Sequence, residues 1–112
     1  MNALQTATLM RIFVDDAERY EKHSLHMAIV HELLTLGFGG VTVLKGIEGF
    51  GSNRHLHALR AIDTAPNLPV LIEVAETEDK VRSVIPRLRE MIPEGLITLE
   101  RIQMRQLSKL NS

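Results

Sequence analysis

The chain has 112 residues, 45% of them hydrophobic, with a formal net charge of −1 and no cysteine. That length suits one domain with a real core. The near-neutral charge offers no field to draw nucleic acid, and the lack of cysteine excludes disulfides and thiolate chemistry. No apolar run reaches the length of a membrane span, and the N-terminus shows no basic-then-apolar leader, so a cytoplasmic protein is expected.

Thr8 to Val14 predicts the first strand, with Met10, Ile12 and Val14 on one face and Arg11 and Phe13 on the other. Asp15 to His23 follows as a charged loop. Its carboxylates Asp15, Asp16, Glu18 and Glu21 read as solvated and balanced by Arg19 and Lys22. Ser24 is placed to cap a helix running to about Leu36, with an apolar stripe of Leu25, Ile29, Leu33 and Leu36. Gly37 is placed to end it in a left-handed turn. His26 and His31 lie five apart, off the spacing that puts two ligands on one helix face, and read as surface or helix-edge residues.

Val41 to about Leu44 predicts the second strand. It runs into Lys45-Gly46-Ile47-Glu48-Gly49-Phe50-Gly51, and then a polar tip with Arg54, His55 and His57. Glycine admits positive φ and close backbone approach, so residues 46 to 57 read as a ligand-presenting loop. The glycine spacing fits neither a dinucleotide fingerprint nor a P-loop. Arg54, His55, His57 and Arg60 form a basic cluster able to hold phosphate or carboxylate, and Lys45 and Glu48 are close enough in sequence to pair. His55 and His57 alone are thin support for a metal. Leu56 to Ile62 fits a short strand or a helical turn, and Thr64 to Pro69 is a turn.

Val70 to Ala75 predicts the third strand. Thr77 caps a second helix with a stripe of Val81, Val84, Ile85, Leu88 and Met91 or Ile92. Pro86 predicts a kink or a helix in two parts. Pro93-Glu94-Gly95 turns the chain into a last strand, Leu96 to about Met104, whose alternation changes phase near Thr98 to Glu100 and predicts a bulge or a short break. Residues 1–7 and 107–112 are expected to be loose tails of a single domain spanning 1–112.

The order β-α-β-loop-β-α-β predicts an α+β, ferredoxin-like βαββαβ sandwich, an antiparallel sheet with both helices on one face. The other face would carry Arg11, Phe13, Thr42, Leu44, Leu71, Glu73 and Ala75. It is too apolar for a solvated face, so a homo-oligomer built on it is expected.

Lys45-Gly-Ile-Glu-Gly-Phe-Gly51, followed by Arg54 and His57, resembles the signature of an uncharacterised PII-like family. Met91-Ile-Pro-Glu-Gly-Leu-Ile-Thr98 resembles its second signature, and the likeness spans about Leu9 to Ile102. The resemblance implies a PII-like trimer with inward-facing sheets, and a regulatory or signalling protein in place of an enzyme. It implies an adenine nucleotide in clefts between subunits, a partner contacted through the 46–57 loop, and a turn at Pro93 to Thr98 lining the cleft. The expected ligand residues are Lys45, Gly46, Glu48, Gly49, Phe50 and Gly51, with Arg54, His57, Gly95 and Thr98. Frequent encoding of the family beside fluoride-exporting channels implies a membrane-channel or transporter partner. This chain departs from true PII proteins in having Gly95 and Glu94 but no lysine in that turn. Two other classes stand beside this reading. One is a small trimeric enzyme using Glu48, His55 or His57 as acid or base. The other is an RNA-binding sheet, disfavoured because only Phe13 is placed for stacking.

Overall fold

The computed structural model describes residues 3–47 and 68–109. Its elements are β1 (Gln5–Asp15), β2 (Arg19–Tyr20), β3 (His23–Ser24), α1 (Leu25–Thr35), β4 (Thr42–Lys45), β5 (Pro69–Glu76), α2 (Glu78–Met91) and β6 (Leu96–Met104). The main sheet has the order β4-β5-β1-β6, and every neighbouring pair is antiparallel. Each β-α-β unit is therefore split by an intervening strand, the ferredoxin-like arrangement. The strand expected from Val41 to about Leu44 begins one residue later and spans Thr42–Lys45.

Alternation along the strands sorts the two faces. Met10, Ile12, Val14, Val70, Ile72 and Val74 point to the helices and are buried. They meet Leu25, Ile29 and Leu33 of α1 and Val81, Val84, Leu88 and Met91 of α2 in one core. Val43 shares that face, opposite Ile72, yet stays 41% exposed because β4 is the sheet's edge. Leu36, the C-cap of α1, is likewise exposed and leaves the apolar stripe.

Several local expectations are corrected. β1 begins at Gln5, so residues 5–7 join the sheet opposite Ile102 to Met104 and are not a tail. Residues 107–109 carry no helix or strand. The loop after β1 contains a small hairpin, β2 with β3, its turn closed by Arg19 Nη2 donating to the Lys22 carbonyl at 2.8 Å. Ser24 occupies the N-cap with extended backbone, but its hydroxyl makes no capping bond. The Leu25 N–H donates instead to the Glu18 carbonyl at 2.8 Å. Thr77 does cap α2, accepting from the Lys80 N–H.

Pro86 lies inside an unbroken α2. Proline removes the bond to the Arg82 carbonyl, and both residues sit on the exposed side, where that carbonyl is open to solvent. No bulge interrupts β6: its pairing with β1 runs without a skip from Phe13–Leu96 to Gln5–Met104. The strand is an edge, only half covered, so its exposed positions accept either polarity. Gly37 adopts φ +84°, the left-handed turn expected after α1.

Candidate functional site

Two regions at opposite ends of the sheet have the makings of a site. The first is where β4 ends and β5 begins. Gly46 N–H donates to the Pro69 carbonyl at 2.7 Å. Asp16 N–H donates to the Leu68 carbonyl at 2.9 Å, and the Leu68 N–H returns to Asp16 Oδ1 at 2.9 Å. Lys45 Nζ lies 2.9 Å from Asp16 Oδ2. The two chain ends at 46 and 68 are thus tied to each other and to the chain just after β1. The expected Lys45–Glu48 pairing falls outside the described residues, since Glu48 is not among them. Asp16, read from sequence as a solvated acid, has a side chain only 8% exposed. A buried carboxylate requires partners, and a backbone amide and an ammonium supply them.

The turn after α2 reaches the same end of the sheet on the opposite edge. A Cβ on Gly95 would stand 2.9 Å from the Phe13 carbonyl oxygen and 2.9 Å from Ile92 Cγ2, so close packing demands glycine here. Thr98 pairs with Arg11 on the uncovered face and is exposed. Lys45 and Gly46 are separated from Gly95 and Thr98 by β5 and β1, about 14 Å at ordinary strand spacing. Burial pushes the Glu18 carboxyl up, the nearby Asp15 and Glu94 carboxylates add to this, and the Asp15 N–H bond opposes it.

Glu48, Gly49, Phe50, Gly51, Arg54, His55 and His57 lie outside the described residues, as does the segment Leu56 to Ile62. Among the described residues no three histidine or acidic side chains converge on a metal position, and no helix is long and apolar enough to cross a membrane.

The second region is a groove at the far end of the sheet, with a volume of about 430 Å³. Small-ligand pockets fall in this range. Its polar lining comes from Thr42, Glu73, Glu76 and Arg105, with the Gly39–Gly40 backbone, and Leu9, Ala75 and Met104 supply apolar surface. One wall is set by tertiary contacts. Gly39 N–H donates to Glu76 Oε2 at 3.1 Å, and Lys80 Nζ bonds the Gly37 carbonyl while lying 3.6 Å from Glu76. Sequence reading missed this groove, because its walls come from four segments far apart in the chain. The Gly39–Gly40 pair just before β4 is its one local signal in the sequence.

The uncovered sheet face joins the two ends. Arg11 Nε donates to Glu73 at 2.9 Å and Arg11 Nη1 reaches Glu100 at 3.4 Å. The hydrogen bond to Glu73 raises the Arg11 pKa further above its already high ordinary value, and the charges of Glu73 and Glu100 add to it. Around this pair Phe13, Leu44 and Leu96 are exposed, at 36%, 51% and 58%.

Residues 7–104 match the family model DUF190, described as an uncharacterized ACR. The chain belongs to the DUF190 family. A UPF0166 protein of Aquifex aeolicus is 34% identical over 95 residues, covering 85% of this chain and 93% of that one. A UPF0166 protein of Methanocaldococcus jannaschii is 32% identical over 94 residues, covering 83% and 86%. Among solved structures, CPII from Thiomonas intermedia K12 matches with a TM-score of 0.71 at 16% identity, covering 95% of this chain and 94% of that one. CPII is a nitrogen regulatory PII-like protein whose structure was solved with ADP, AMP and bicarbonate bound. At that identity the likeness establishes the fold, so this DUF190 chain has the PII-like form of the ferredoxin fold.

Proposed function

We propose that this DUF190 protein is a PII-like regulatory protein that binds an adenine nucleotide in clefts between copies of itself and signals through the 46–57 loop. The observation that carries this reading is the separation of the two regions. Lys45 and Gly46 lie beside Val70 at one end of β5 and Glu76 at the other, about 20 Å away along the strand, with Thr42 between them on β4. A nucleotide seated on Lys45 does not reach Glu76 within one chain. It can do so where the loop end of one copy meets the groove end of another.

The uncovered face favours such an assembly. Its exposed Phe13, Leu44 and Leu96 are apolar surface that a second copy would bury, and three-fold closure is what the PII likeness implies. The nucleotide class is supported by the adenine nucleotides bound to CPII, a neighbour in fold. In this reading Lys45, Gly46, Gly95 and Thr98 lie on one wall of the cleft, joined by Glu48, Gly49, Phe50, Gly51, Arg54 and His57.

Calorimetric titration with ATP, ADP and AMP tests it. One nucleotide is expected to bind, and at one hundred times its Kd to stabilise the fold by about 2.7 kcal/mol. Arg54→Ala or Gly49→Val is expected to abolish that binding in a folded oligomer. Absence of binding by all three nucleotides would overturn the nucleotide reading. Normal binding by both variants would remove the loop from the site.

A further inference from the structure

The pairing of Asp16 with Lys45 has an asymmetry that bears on how a ligand would be reported. The Asp16 side chain is 8% exposed and held from two sides, by Leu68 N–H on Oδ1 and Lys45 on Oδ2. Lys45 arrives from solvent with a side chain 59% exposed. The carboxylate is therefore fixed and the lysine is the partner free to leave. Asp16 also joins the chain end at Leu68 through its own N–H, and Gly46, next to Lys45, bonds Pro69. One buried carboxylate thus touches both strands from which the 46–68 segment departs.

We propose that Asp16 is a positioning residue that couples the occupancy of Lys45 by an anionic ligand to the pairing of the chain ends at Gly46 and Leu68. This rests on the nucleotide reading above and assigns how that site would be regulated. An anion that draws the Lys45 ammonium toward solvent weakens its bond to Asp16, since the two anions share one positive charge. The carboxylate then loses part of its countercharge while still buried, and its hold on β4 weakens. By linkage the effect is reciprocal: a firmly fastened pair disfavours the anion to the same degree. Such couplings commonly amount to about fivefold or more in affinity.

Asp16→Asn separates the two roles. An asparagine Oδ1 still accepts from Leu68 N–H, but the charge that retains Lys45 is gone. ADP is expected to bind Asp16→Asn about fivefold more tightly than the original chain. Lys45→Met supplies the readout without a nucleotide. Amide exchange at Gly46 and Leu68 is expected to quicken about fivefold or more, with Ile12 and Ile72 unchanged. A purely structural role for Asp16 would not tighten ADP. Equal ADP affinity in both chains overturns the coupling and leaves the nucleotide reading intact. If the original chain binds no adenine nucleotide, the reading falls, and unchanged exchange in Lys45→Met takes the coupling with it.

Discussion

The two faces of one sheet are built from alternate residues of the same strands and end in opposite conditions. On the helix side Met10, Ile12 and Ile72 are wholly buried and aliphatic. On the other side their neighbours Arg11, Phe13 and Leu71 form a mixed surface, with an ion pair set among exposed side chains. The first face is finished within one chain. The second exposes Phe13, Leu44 and Leu96, more apolar surface than a solvated sheet face needs. The difference predicts that a substitution on one face disturbs folding while its neighbour on the other face leaves the fold intact.

Adjacent substitutions in β5 break that comparison most directly. Ile72→Ala removes a fully buried side chain and is expected to destabilise the fold by about 3 kcal/mol, read by chemical denaturation. Leu71→Asp faces the other way. It is expected to leave the monomer folded and to reduce the solution mass from oligomer to monomer by light scattering. Unchanged mass in that variant would refute an assembly built on this face. Gly95→Ala comes next. Its added Cβ meets the Phe13 carbonyl oxygen and Ile92 at 2.9 Å, so a loss of about 1–3 kcal/mol is expected. Free tolerance of alanine would mean that the turn shifts at no cost.

The smallest effect concerns Glu18. Its carboxyl pKa is raised by burial, so the folded state holds its proton more tightly than the unfolded chain does. Stability from this group is then greatest at acid pH and declines as pH rises from the ordinary carboxylate value through the raised one. Glu18→Gln keeps an acceptor for the Asp15 N–H and removes the charge. It is expected to stabilise the fold slightly at neutral pH, by no more than about 0.5 kcal/mol given the group's exposure, seen as a small rise in melting temperature, and to flatten the slope over that window. A lowered melting temperature at neutral pH would show that the charge is stabilising.

Helix α2 was legible in sequence because its stripe of Val81, Val84, Leu88 and Met91 follows the helical period and Thr77 stands where a cap belongs. The same reasoning failed at β6, and at Pro86 the helix is not divided in two. Local pattern cannot tell a half-covered edge strand from a bulged one, or a proline on the wet side of a helix from one that breaks it. The fate of the acids after β1 was illegible for another reason: Asp16 meets Lys45 and Leu68 across long stretches of chain, and nothing within the loop announces either partner.

The order of elements, the division of residues between two sheet faces and the left-handed turn at Gly37 were set by the sequence itself, since each follows from the period of side chains or the freedom of glycine. Tertiary structure alone decided the pairing of Asp16 with Lys45, the close approach at Gly95 and the groove between Gly39 and Arg105. These depend on which strand ends come to lie side by side, and that is settled by burial of the whole core and not by any local run of residues.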